Sequence, residues 1–190
     1  MSKNILILAG DAVEALEIFY PYYRCIEEGI GCTIASPKKK SLQTVIHDFL
    51  PEMDTFTEKW GYKIDAHAEV KDIDPSKYDG LILPGGRSPE YIRMDKNVQE
   101  ITKHFFAENK PIGVICHGNL ILTTVKDYIK GREMTAYSAC RPDVEAAGAI
   151  YQEKKLHVDG NLVSGHAWDD LPGFMREFFK LLNVKDKVGV

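Results

Sequence analysis

The feature that most constrains this chain is a set of short, unbroken apolar runs. They are "NILILAG" (residues 4–10), "CTIAS" (32–36), "DGLILPGG" (79–86) and "PIGVIC" (111–116), and none alternates polar with apolar positions. A strand with one wet face alternates. A strand apolar at every position is buried on both faces, as in a parallel sheet covered by helices. The segments between the runs have helix length. In residues 11–29, Val13, Leu16, Tyr20 and Tyr23 recur at helical spacing, Gly29 or Gly31 can end the helix, and Pro21 is expected to kink it. In residues 88–109, Ile92, Val98, Ile101 and Phe105 supply an apolar face for a second helix. This alternation predicts an α/β fold: a single doubly wound, mostly parallel sheet sandwiched by helices, forming one domain over residues 1–190.

Two segments break the scheme. Residues 36–69 are long for one connection, and "TVIHDF" and "YKIDAHAEV" alternate like exposed strands, which predicts an inserted β excursion around residues 40–69. "LHVDGNLVSG" carries Asp159-Gly160 between two β-prone runs, a hairpin signal. A last helix is expected over residues 171–182, begun by Asp169, Asp170 and Pro172.

Composition narrows the function classes. The chain is 44% hydrophobic and 27% charged with a net charge of -4, so it offers no electrostatic reason to bind nucleic acid or an acidic membrane. No apolar run reaches the length of a membrane span, and the N-terminal apolar stretch is too short for a secretory signal, so a cytoplasmic protein is expected. Cys25, Cys32, Cys116 and Cys140 form no Cys-x-x-Cys pair and no zinc spacing. In a reducing compartment they are expected to be free thiols.

Chemistry concentrates where the runs end. Cys116 closes a buried strand and opens a helix in "VICHGN", the setting of a nucleophile elbow, and Gly118 gives such a turn its room. The N–H groups of the following helix are expected to favour the thiolate. "LPGGRSPEYIR" leaves its strand with Gly85-Gly86, whose backbone N–H groups are placed to form an oxyanion hole. The first strand exits into "GDAVEALEIF", where Glu14 and Glu17 lie one turn apart and only one can point into the strand-end crevice. A buried glutamate there would have a raised pKa and act as acid or base toward the sulfur.

These pieces carry a resemblance. "ILILAGDAVEALEIFYPYYRCIEEG", "YDGLILPGGRSPEYIR", "KPIGVICHGNLIL", "GREMTAY", "DVEAAGA" and "VDGNLVSG…DLPGFMREFFKLL" resemble, in order and over nearly the whole chain, the ThiJ/PfpI superfamily of the intracellular protease I type. The insertion is similar to one half of the tandem-domain plant members that resemble glyoxalase III. The resemblance implies a flavodoxin-like, class I glutamine amidotransferase-like fold. It implies Cys116 as nucleophile, His117 as its following histidine, and Glu14 rather than Glu17 as the glutamate facing the sulfur. Gly85, Gly86 and the His117 amide match the oxyanion hole, and Tyr137 matches an aromatic position near the pocket. Glu90 matches a glutamate that reaches His117 from a neighbouring subunit, which implies a homo-oligomer, from a dimer up to a hexamer. Two departures stand out: Asn119 where the protease branch often has proline, and His166 and Trp168 where it commonly has arginine and proline. His166 is therefore either a pocket residue or a surface histidine.

The activity implied is cysteine-dependent, glutathione-independent glyoxalase or deglycase chemistry on an α-oxoaldehyde such as methylglyoxal, with no cofactor and no metal. The alternatives are a cysteine peptidase with an intersubunit Cys-His-Glu triad, and a redox-sensing or chaperone-like stress protein. Adjacent residues do not usually face each other, so the His117 imidazole is expected to look outward to Glu90 of a neighbour while Glu14 handles the thiol proton.

Overall fold

The computed structural model describes residues 3–184. The first apolar run forms β1 (Asn4–Leu8), and its side chains divide by parity. Ile5 and Ile7 join the core layer on one side of the sheet, Leu6 and Leu8 the layer on the other, all fully buried. This is the two-sided burial that an unbroken apolar run requires. The chain continues through α1 (Ala15–Glu27), β2 (Gly31–Ser36), β3 (Ser41–Phe49), β4 (Phe56–Asp65), β5 (Ala68–Glu69) and β6 (Gly80–Leu83). Then come α2 (Ser88–Ile92), α3 (Lys96–Ala107), β7 (Ile112–Ile115), α4 (Asn119–Leu122), α5 (Lys126–Ile129), β8 (Glu133–Met134) and α6 (Arg141–Ala146). The last elements are β9 (Ile150–Tyr151), β10 (Leu156–Asp159), β11 (Leu162–Gly165) and α7 (Leu171–Leu181).

The main sheet has seven strands in the order β10-β11-β7-β6-β1-β2-β5. All its pairs are parallel except β10–β11, the hairpin at the edge, where Asp159 pairs Leu162. One face is covered by α1 and α7 through Ile18, Phe174, Phe178 and Phe179, the other by α3 and α4 through Val98, Ile101, Phe105 and Leu120. Strand order reverses at β1: the chain runs outward to β2, then returns to β6, β7 and β11. Ligands of such sheets sit outside the carboxyl ends at this reversal.

One local expectation changes, the second helix. Pro21 lies inside α1, which continues through it, and is buried. The expected helix over 88–109 is split into α2 and α3, because Asp95 starts a new helix by accepting from the Asn97 N–H at 2.8 Å. The excursion is a two-stranded antiparallel hairpin, β3–β4, separate from the main sheet. It is stitched to the start of α1 by Ala12 N–H to Gln43 O (2.8 Å) and Val45 N–H to Val13 O (2.9 Å). Among the described residues no helix is long and apolar enough to cross a membrane.

Candidate active site

The loops leaving β1, β6 and β7 converge at the strand-order reversal. Cys116 follows β7 directly and holds φ at +57°, a region that a non-glycine residue enters at a cost. Ile115 before it is extended and Asn119 after it is helical, so the chain turns from strand to helix essentially at this one residue. Asn119 locks the turn by donating from Nδ2 to the Cys116 carbonyl at 3.1 Å. Gly118 is pressed against the neighbouring loop, where a Cβ would stand 2.1 Å from the Leu83 carbonyl oxygen. The elbow is thus built by close backbone contact, and the nucleophile is only 3% exposed.

The carboxylate at the sulfur is Glu17, not Glu14. The helix begins at Ala15, which makes Glu14 its N-cap. Its carboxylate turns back to accept from the Glu17 N–H at 3.0 Å and also meets the backbone N–H groups of Leu16, His47 and Ala15. One turn on, Glu17 enters the crevice, fully buried and within hydrogen-bond reach of the Cys116 thiol. Its Oε2 accepts from the Gly85 N–H at 2.7 Å, while Oε1 has no partner among the described residues. Gly85 must be glycine, since a Cβ would lie 2.6 Å from that oxygen and 2.8 Å from Cys116 Cβ. The expected oxyanion set is corrected too. The Gly85 N–H is committed to Glu17, and the donors that face the sulfur are those of Gly86 and His117.

Burial, joined by repulsion from Glu14, pushes Glu17 up to about 8 against the pull of the Gly85 N–H and the thiol. Burial also pushes the Cys116 thiol well above its ordinary value, reinforced by Glu17 and opposed by the His117 and Gly86 N–H groups. The expected lowering of the thiol pKa is therefore not what the geometry produces. The helix behind the sulfur, α4, spans only residues 119–122 and offers little dipole, so desolvation wins. Near neutrality the pair holds its protons, and a proton leaving the sulfur has an adjacent acceptor in ionised Glu17.

His117 faces the sulfur after all, with Nδ1 3.3 Å from Sγ. The left-handed turn at Cys116 breaks the alternation that separates adjacent side chains in a strand. The imidazole stacks on Tyr137 (centroids 5.1 Å, 25°) and meets Phe56 edge-on at 5.9 Å. Burial first, then the His47 charge, pushes it down to about 4 against the opposing pull of Asp143, so it is a neutral base at pH 7. Glu90 stands exposed on the first turn of α2, and the charged groups that act on His117 within the chain are His47 and Asp143.

Tyr137 lies at the centre of an aromatic cluster. His166 is 5.7 Å away, Phe56 5.8 Å and Phe49 6.5 Å, and Trp168 stacks on Phe49 at 5.6 Å. His166 and Trp168 therefore belong to the surroundings of the site. Phe49, Phe56 and His47 arrive from the β3–β4 hairpin and were not singled out in the sequence. For His47 the signal was there in the alternation of "TVIHDF", which puts Val45 and His47 on the buried side. An open cleft of about 780 Å³ lies beside the hairpin, lined by Lys38, Lys63, Trp60, Arg87 and Tyr91 among others, and Cys116 is not in its wall.

Comparison with known proteins gives the family and the fold. A family model described as the DJ-1/PfpI family matches residues 3–181. The chain is 38% identical over 191 residues to Protein DJ-1 homolog D of Arabidopsis thaliana, covering 97% of this chain and 49% of the plant protein, so it spans about half that protein's length. It is 40% identical over 194 residues to Protein/nucleic acid deglycase 2 of Escherichia coli (strain K12), covering 97% and 100% of the two chains. A solved ThiJ/PfpI domain protein from Brachyspira murdochii shares the fold, with a TM-score of 0.82 at 19% identity over 97% of this chain and 99% of that one.

Proposed function

The chain belongs to the DJ-1/PfpI family, and from that premise we propose that it is a cysteine-dependent, glutathione-independent enzyme of the glyoxalase or deglycase type, acting on α-oxoaldehydes such as methylglyoxal. The observation that carries this reading is a nucleophile between two groups able to move protons near neutrality: Cys116, with Glu17 at about 8 on one side and neutral His117 on the other. The sulfur adds to the aldehyde carbon as its proton passes to Glu17. The new oxyanion meets the Gly86 and His117 N–H groups and takes the proton from Glu17, giving a hemithioacetal. His117 removes the proton on that carbon and the electron pair shifts onto the neighbouring carbonyl as an enediolate; His117 returns this proton to the neighbouring carbon while the hemithioacetal hydroxyl proton passes to the neighbouring oxygen, which leaves a thioester on Cys116. Water cleaves it to lactate and free thiol, so one aldehyde and one water give one hydroxy acid. A sulfur 3% exposed beside an aromatic cluster favours a small substrate over an extended peptide.

The test is purified protein with methylglyoxal and no glutathione, beside Cys116→Ala and Glu17→Gln. Loss of the aldehyde with matching lactate, abolished in both variants, supports the reading. No turnover in the wild type, together with Cys116-dependent cleavage of a denatured protein, overturns it in favour of the peptidase and its Glu90 triad.

A further inference from the structure

We propose that His47, from the inserted hairpin, is a positioning residue for His117, held in place by Glu58 and Arg87 and acting across the Phe56 ring. This rests on the reading above in giving His117 a proton-transfer role. The contacts form one continuous path. His47 is buried, and its Nε2 lies 3.0 Å from Glu58 Oε2. Arg87 grips Glu58 with both Nε and Nη2, at 2.7 to 3.1 Å, and this holds the Glu58 carboxyl at about 2. Arg87 is itself fixed beside the Gly85-Gly86 turn by its backbone N–H, which donates to the Ala12 carbonyl at 2.9 Å. At the other end, the Phe56 ring is clamped between His47 at 4.3 Å and His117 at 5.9 Å. The His47 backbone N–H closes the circuit on the Glu14 carboxylate, which caps the helix that carries Glu17.

The electrostatic consequence follows from placement. The alternative to the neutral pair of thiol and imidazole, 3.3 Å apart, is a thiolate–imidazolium pair. Such a pair has lost its base, because the imidazolium cannot accept a carbon-bound proton. When it is protonated, His47 opposes a second positive charge at His117 and so adds to the burial that favours the neutral pair. The groups facing His117 are Cys116 with Glu17 behind it, His47 with Glu58 behind it, Asp143 from α6, Tyr137, and His166 beyond Tyr137. Asp143 pulls the opposite way, so removing His47 leaves burial alone to oppose the imidazolium against the pull of Asp143.

The experiment is an NMR titration of ¹³C-labelled histidine rings in the wild type, His47→Phe and His47→Asn, with His117→Gln to assign the signal. His47→Phe fills the space against Phe56, and His47→Asn keeps a donor for Glu58; neither carries charge. In both, His117 is expected to titrate at a higher pH than in the wild type, by less than its full displacement because burial remains. Alkylation of Cys116 at pH 6 is expected to become several-fold faster, and kcat/KM to fall most at low pH. An unchanged His117 titration in both folded variants, or a kcat/KM loss equal at every pH, overturns the proposal. The titration needs no substrate, so failure of aldehyde turnover in the wild type is a separate result and bears only on the activity.

Discussion

Replacing Glu17 by glutamine tests the electrostatic core of the site through stability. In the folded protein Glu17 holds its proton up to about pH 8, whereas in the unfolded chain it releases it near the ordinary value of 4.5. The folded state therefore binds the extra proton between those limits. The associated stabilisation is fully present below pH 4.5 and is lost as pH rises through 8. At about 1.4 kcal/mol per pH unit, the shift corresponds to about 5 kcal/mol, an upper figure because a protein relaxes and admits water around a buried charge. The E17Q variant is neutral throughout and escapes this loss. Urea unfolding followed by circular dichroism at pH 5 to 9 should show the stability of E17Q rising relative to the wild type by several kcal/mol across the range. The same trend is expected in a Cys116→Ala background, because burial rather than the thiol is the first cause of the shift. A gap between the two proteins that stays constant from pH 5 to 9 would show that Glu17 ionises normally, and would remove the near-neutral proton acceptor on which the proposed chemistry depends.

Further consequences can be measured directly. The kcat/KM for methylglyoxal should rise about tenfold per pH unit until about pH 8 and then level, since ionised Glu17 takes the thiol proton; E17Q should flatten the profile and lose a factor on the order of 10²–10⁴. Gly85→Ala should destabilise the fold by about 1–3 kcal/mol and abolish turnover, because the new methyl meets Glu17 and Cys116 at once; a wild-type melting temperature would refute that close approach. Phe49→Ala, at a half-exposed position stacked on Trp168, should change global stability by only about 1 kcal/mol yet speed iodoacetamide labelling of Cys116 several-fold. Unchanged labelling would show that the cluster does not screen the sulfur.

The elements that the sequence made legible are those whose cause is local. Residues 4–8 are apolar at every position because helices cover both faces, and that burial leaves its mark at each residue. The elbow could be read because a strand end, a cysteine and a glycine must be consecutive for the chain to turn within one residue at φ +57°. Convergence of the Gly85-Gly86 turn with Cys116 followed from parallel topology, which puts the carboxyl ends of β6 and β7 side by side.

Much of what could not be read involves the hairpin. In "GDAVEALEIF" the first carboxylate, Asp11, is a natural helix cap. In the folded protein its Oδ1 accepts from the Gln43 N–H at 3.0 Å and its Oδ2 pairs with Lys40, both contributed by residues at the base of the hairpin. Asp11 is thereby drawn away from the helix, and the cap passes to Glu14, whose carboxylate is consumed by backbone N–H groups. Glu17, one turn later, is then the carboxylate that meets the sulfur. The contacts that hold Asp11 lie about thirty residues away in sequence, and no local pattern around either glutamate records them. The same hairpin brings His47 and Phe56 against His117. It sets the start of the helix on one side of Cys116 and the surroundings of the imidazole on the other, so the insertion that read as an excursion from the fold shapes both partners of the nucleophile.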